Sequence, residues 1–245
     1  PDDEAITAVP EGISSVDADG KVVDSYPKLL VMKDVFRDGD GKIQYFTPSQ
    51  AIKHCGQEGY FLSPSNLTIP LVVALFQHKD NPEAHKVLLQ YQDKGNGTGW
   101  HAQNTVIDYG RQRIIHCPSD ADFLNHGGTN NINTALTRTE LPFKKKEGTW
   151  PFTDKKLESM TLEDGLKHSL VSAFVKQFTG LADPSILIQI GQYFQKPAKV
   201  WFPSTEDRNE TRAAWFGCDS NDLDLGGDSN LNDYDAARGV RLGAP

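Results

Sequence analysis

The residues best suited to chemistry lie near the C-terminus, where Asp219 to Tyr234 reads DSNDLDLGGDSNLNDY. Thirteen of these sixteen residues are Asp, Asn, Ser, Gly or Tyr. Short carboxylate, carboxamide and hydroxyl side chains hydrogen-bond in many directions and favour turns over core. The stretch therefore reads as a solvent-facing loop, held between two apolar anchors, Ala213 to Cys218 and Ala237 to Leu242. A polar loop fixed by flanking strands is a common recognition surface. Tyr, Ser, Gly and Asn also dominate antibody combining sites, because they bond adaptably at low entropy cost. The candidate contacts are Asp207 and Asn209 in a first loop. In a second they are Asp219, Ser220, Asn221, Asp222, Asp224, Asp228, Asn230, Asn232 and Tyr234. Calcium ligation is a second chemistry open to this stretch, since Asp219, Asn221, Asp222, Asp224 and Asp228 carry hard oxygen donors.

Catalytic constellations are missing. The sequence has no GxSxG, no P-loop and no GxGxxG after a strand. His116-Cys117 pairs an acid/base group with a nucleophile, but neighbours on a strand point to opposite faces and cannot share a proton there. No motif places two carboxylates at a glycosidase separation. Cys55, Cys117 and Cys218 are too few and too far apart for a disulfide framework, and no CxxC or HxxxH spacing suggests zinc. The chain reads as a binding protein rather than an enzyme, with no cofactor other than a possible calcium ion.

The elements that must position these residues read as follows. Residues 1–25 form an extended, acidic arm. Lys28 to Phe36 is a strand, turned by Asp38-Gly39-Asp40-Gly41 and returning over Lys42 to Phe46. The turn lacks the later ligands of a calcium-binding loop. Thr47-Pro48 opens a helix with Ala51, Ile52 and Cys55 inward. Ser63 to Gln77 is apolar and helical after Pro70. Asn81-Pro82-Glu83 starts another helix, with Val87, Leu88 and Tyr91 on one side. Thr105 to Tyr109 and Arg113 to Cys117 form a hairpin. Residues 118–160 are polar and turn-rich, with a loop at 126–131 and a solvated charge run at Lys144 to Lys146. Leu162 to Phe178 repeats apolar residues at helical spacing, capped by Thr161 and Asp164. Pro184 to Phe194 is a shorter helix, and Val200 to Phe202, Ala213 to Cys218 and Ala237 to Leu242 are short strands. Strands, then helices, then strands is an α+β order.

Length and charge bound the rest. The 245 residues suit a single domain, 1–245. Lys plus Arg is 25 and Asp plus Glu is 33, a net of 25 − 33 = −8. Such a surface repels phosphates, so nucleic acid is not an expected partner. No apolar run approaches the roughly 18 residues of a membrane span, and Pro1-Asp2-Asp3-Glu4 does not read as a signal peptide.

The runs VWFPST (200–205), RAAWFGCD (212–219) and ARGVRL (237–242) resemble the end of a C-type-lectin-fold domain. More closely, they resemble the variable proteins of diversity-generating retroelements, in particular the archaeal and archaeal-virus group. Gly59 to Ser65, before a helix, is similar to the early part of that group. The likeness covers the C-terminal segment, 200–245, and is diffuse elsewhere. It implies a C-type lectin-like fold of small antiparallel sheets with helices from the middle of the chain, and a diversified C-terminal surface that binds a ligand. The implied partner is a protein or glycan on a cell surface, and the implied location is a virion or cell surface. In that family, miscopied template adenines turn AAC codons into many others, and every residue type in Asp219 to Tyr234 is reachable in that way. The family fold also implies that the N- and C-terminal strands pair, here Leu29 to Phe36 with Arg238 to Leu242. Trp201, Trp215, Arg212, Arg238 and Arg241 would then be scaffold. A calcium-dependent lectin is an alternative, although the usual Glu-Pro-Asn or Gln-Pro-Asp sugar motif is missing. Formylglycine-generating oxidases share a distant version of the fold, but they use a cysteine pair, and only Cys218 lies in the corresponding half.

Overall fold

The computed structural model describes residues 5–9, 13–17, 19–26, 28–92, 99–117, 137–142, 159–203 and 211–242. Asp207, Asn209, the 126–131 loop and Lys144 to Lys146 lie outside the described residues. The chain begins with β1 (Ala5–Val9), β2 (Ile13–Val16), β3 (Val22–Tyr26), β4 (Leu29–Met32) and β5 (Tyr45–Phe46). Then come α1 (Pro48–Gln57), β6 (Phe61–Leu62), α2 (Ser65–Gln77), α3 (Pro82–Leu89), β7 (His101–Asp108), β8 (Arg113–His116) and β9 (Thr137–Glu140). Next are β10 (Ser159–Thr161), α4 (Leu162–Gly165), α5 (Ser169–Thr179), α6 (Ile186–Phe194) and β11 (Ala198–Trp201). The chain finishes with β12 (Thr211–Cys218), β13 (Leu223–Ser229), β14 (Asp235–Ala236) and β15 (Gly239–Leu242). This is an α+β architecture.

Two sheets organise it. The smaller has strand order β1-β4-β15-β6 and joins the two ends of the chain, with Val31 opposite Val240 and Leu29 opposite Leu242 in antiparallel register. The larger runs β10-β11-β13-β12-β7-β14-β5, with β8 and β9 continuing from β7. A core of α2, α3, α5 and α6 residues packs against Val200, Ala214, Phe216, Leu223 and Leu225 of this sheet. A second cluster sets Ala51, Ile52 and Cys55 of α1 against Ala102, Val106 and Ala213.

Local chemistry explains the helix starts. Thr47 and Gln50 form a reciprocal capping box on α1, and Asn81 caps α3 by accepting from the Glu83 and Ala84 amides. Two sequence expectations about helices need correction. The second helix begins at Ser65, so Pro70 lies inside it. Proline has no N–H to offer the Asn66 carbonyl one turn back. That oxygen instead faces Gly180, the left-handed residue ending α5, where any Cβ would lie 2.7 Å from it. The stretch 162–178 is two helices: α4 ends at Gly165, the chain turns over 166–168, and α5 brings Val171 back against Gly165. A Cβ at Gly165 would lie 3.0 Å from the Val171 side chain.

Three strand expectations also change. Lys28 to Phe46 does not form a hairpin. Its halves join different sheets, and only an Arg37–Ile43 bridge links them across a turn in which Asp38 accepts from the Asp40 and Lys42 amides. The 1–25 arm is not simply extended: β1 pairs with β4, and β2 and β3 form their own hairpin. Above all, Asp219 to Tyr234 is not one solvent-facing loop. Its centre is β13, buried between a parallel β11 and an antiparallel β12.

His116, on β8, is buried in a hydrogen-bonded slot. Its Nδ1 lies 2.9 Å from Thr105 Oγ1, and its Nε2 lies 3.1 Å from the Gln177 carbonyl, to which it donates. Burial pushes its pKa down from 6.5 to about 4. The folded ring therefore stays neutral while the unfolded ring takes up a proton, so this group withdraws stability as pH falls from 6.5 to about 4. The slope is about 1.4 kcal/mol per pH unit. His116→Asn is expected to lower stability at pH 7 and to flatten the loss on acidification, read as urea midpoints across that window. Phe216→Ala, at a fully buried ring, is expected to cost about 3–5 kcal/mol in the same measurement.

Candidate functional site

The strands β11, β13 and β12 obey a simple alternation. Val200, Leu223, Leu225, Phe216 and Cys218 enter the core. The alternate residues, Lys199 and Trp201, Asp222, Asp224 and Gly226, and Trp215 and Gly217, take the opposite face. Register aligns them: Trp201 and Trp215 both stand opposite Gly226, and Lys199 and Gly217 both stand opposite Asp224. Gly226 is the pivot. A Cβ there would lie 2.0 Å from Cε2 of the Trp215 indole, so that ring lies directly across the glycine backbone. Gly217, at φ +145°, passes so close to Gly99 that a Cβ would sit 1.5 Å from the Gly99 oxygen. This approach sets Trp100 beside Trp215, with ring centroids 4.7 Å apart and planes tilted by 49°.

The result is a groove of about 560 Å³ lined by Trp100, Trp201, Trp215, Asp219, Asp224, Asp228, Ser229, Asn230, Asp233, Tyr234 and Asp235. Its size falls within the range typical of small-ligand sites. Trp215 is buried, Trp201 half-buried and Trp100 41% exposed. Tyr234 stands at the rim, 62% exposed. It also borders a second depression that includes Tyr45, Phe46, Lys53 and His54.

The Trp201 and Trp215 indole N–H groups are each anchored by a carboxylate. Trp201 Nε1 donates to Asp224 Oδ1 at 2.6 Å, and Trp215 Nε1 donates to Asp228 Oδ1 at 3.2 Å. Asp224 is fully buried, and its Oδ2 has no partner among the described residues. Burial, reinforced by the nearby Asp219 and Asp222 charges, pushes its pKa up to about 7. Burial and the neighbouring Asp233 push Asp235 up to about 6. Burial also raises Asp228, against the pull of its Trp215 bond and of Arg212.

The other sequence candidates fall into two groups. Ser220, Asn221, Asn230, Asn232 and Tyr234 are exposed. Asp222 is buried and ion-paired to Lys199 at 2.7 Å, so it is not presented to solvent. Asp219 turns Oδ1 inward to accept from the Asn221 and Asp222 amides. Asn230 accepts from Arg212 through its side chain and donates its amide to Asp233. The five proposed calcium ligands thus do not converge. Among the described residues no group of three His, Cys, Asp or Glu side chains could hold a metal ion. The three cysteines are buried, and burial pushes the Cys55 thiol up to about 12.

Sequence reasoning missed Trp100, Ser229, Asp233 and Asp235, and it read Trp201 and Trp215 as scaffold rather than ligand contacts. Part of the signal was available: the alternation in Ala213 to Cys218 and in Leu223-Asp224-Leu225 is the period of a strand with one face inward. Trp100 had none, because the pairing of β7 with β12, which sets His101 opposite Phe216, and the approach of Gly99 to Gly217 bring it here. Comparison of the chain with family models, curated proteins and solved structures finds no match.

Two substitutions probe this arrangement. Gly226→Ala is expected to cost about 1–3 kcal/mol by forcing the Trp215 ring off the strand, with a shift in tryptophan fluorescence. Asp224→Asn keeps an acceptor for Trp201 and cannot ionise. In the native protein the folded carboxyl holds its proton to about pH 7 while the unfolded one releases it near 3.8, so stability falls as pH rises through that window. Asp224→Asn should therefore be more stable than the parent at pH 8, with the difference closing toward pH 4.

Proposed function

We propose that the chain is a non-enzymatic binding protein with a C-type lectin-like fold. Its C-terminal segment, 200–242, presents a diversifiable surface to a ligand on a cell or partner, as in the variable proteins of diversity-generating retroelements. One observation carries this reading. Of the exposed candidates, Asn230 and Tyr234 line the groove, and Ser220, Asn221 and Asn232 lie within two residues of its lining Asp219 and Asp233. Asn230 also accepts from the buried Arg212, whereas the floor is held by other residues. The floor is held by Trp201, Trp215 and Gly226 through strand register and indole–carboxylate bonds. Substitution at exposed positions away from such contacts usually changes stability by no more than about 0.5 kcal/mol. Rim sequence can therefore vary while the floor stays folded. The pairing of β4 with β15, which closes the two ends of the chain into one sheet, also supports the lectin-like reading.

A survey of the coding segment in natural populations tests the proposal. Substitutions are expected to concentrate at the codons of Ser220, Asn221, Asn230, Asn232 and Tyr234 and to follow template adenines. A near-copy of the segment should lie beside a reverse transcriptase gene. Trp201, Trp215, Gly217, Gly226 and Arg238 should be invariant. Substitutions spread evenly over floor and rim, with no near-copy, would overturn the reading.

A further inference from the structure

We propose that the groove between β11, β12 and β13 receives a cationic side chain of a protein partner, an arginine guanidinium above all. The inference rests on reading this groove as the binding face. Three features point to the charge of the occupant. The walls carry five carboxylates, Asp219, Asp224, Asp228, Asp233 and Asp235, and no lysine or arginine among the described lining residues. Cations around the groove are engaged: Lys199 pairs with Asp222, Lys196 donates to the Asp219 carbonyl, and Arg212 donates to the Asp228 carbonyl and the Asn230 side chain. Finally, Asp224 is fully buried at the groove wall, and one of its carboxylate oxygens has no partner among the described residues.

The aromatic content points to the shape of the cation. Trp100 offers an exposed indole beside Trp215. A planar guanidinium stacks on such a face while its fork of N–H groups bonds carboxylate oxygens. An ammonium can make the charge contact but not the stack. A neutral sugar could also lie on an indole, yet it would leave the carboxylates repelling one another. Asp219 and Asp222 act on Asp224 in this way, and Asp233 acts on both Asp228 and Asp235. Protonation relieves that repulsion in acid, and once these groups ionise a positive charge relieves it.

The test titrates the whole chain with N-acetyl-arginine methylamide and with its uncharged near-isostere, N-acetyl-citrulline methylamide, following tryptophan fluorescence and indole N–H chemical shifts. The arginine probe should bind with a millimolar Kd, at least tenfold more tightly than the citrulline probe. Its binding should weaken in 0.5 M salt and strengthen from pH 5 to pH 8, as Asp224 ionises in the field of Asp219, Asp222 and Lys199 and Asp235 in that of Asp233. Trp100→Ala, which removes an exposed ring, and Asp224→Asn should each weaken binding at least fivefold. Equal binding of the two probes overturns the inference, as does binding of methyl mannoside without the arginine probe, or no binding at all. The population survey is independent of these readouts: rim-confined diversity with no arginine binding would reject the cation and leave the binding-face reading in place.

Discussion

The insertion of β13 between β11 and β12 is the constraint on which the rest of the site depends. A strand flanked on both edges satisfies its backbone groups through two ladders, so its residues are held in register from either side. That register places a glycine, Gly226, between two tryptophans on neighbouring strands. With no side chain of its own, the glycine leaves room for an indole to lie across the backbone. The same strand sends Leu223 and Leu225 into the core, so the floor of the groove and the hydrophobic interior are two faces of one element. Loss of either face would dislodge the other.

The polar chemistry of the groove follows from this burial. Carboxylates placed on the outer face of a central strand are removed from water, which disfavours their charged form. Indole N–H donors offset part of that cost at Asp224 and Asp228 but leave an oxygen of Asp224 without a partner among the described residues. His116 adds a further buried titratable group, whose acid sensitivity runs opposite to that of Asp224 over an overlapping range. A fold that retains buried acids against their own electrostatics gives up stability at neutral pH. Functional sites commonly depart from the stability optimum in this manner.

The rim obeys different physics. Ser220, Asn221, Asn232 and Tyr234 meet solvent and belong to no ladder of the central sheet. Their identity bears little on the core, whereas Arg238 is buried against the Met32 carbonyl and Gln90 and ties the last strand to the body of the protein. Replaceable and irreplaceable residues thus alternate over short distances along the same C-terminal segment.

Much of this was legible in the residues themselves. The caps at Thr47, Thr161 and Asn81, the apolar spacing of α1, α3 and α6, the β7–β8 hairpin and the polar character of 219–234 all follow from local rules, because caps, turns and amphipathic periods act within a few residues. The pairing of chain ends came from a resemblance rather than from local pattern. What the tertiary structure alone decided was burial. Leu223-Asp224-Leu225 lies in a run so polar that composition argues for a loop, yet partners on both edges, more than 20 residues before it in β11 and immediately before it in β12, make it the centre of a sheet. Trp100 reaches the site through the pairing of β7 with β12 and a backbone contact between two glycines over 100 positions apart in the chain. Sequence records the propensity of each segment. Which face of a segment is covered depends on neighbours brought together only by the fold, and on that covering rest the acidity, the aromatic floor and the charge of the groove.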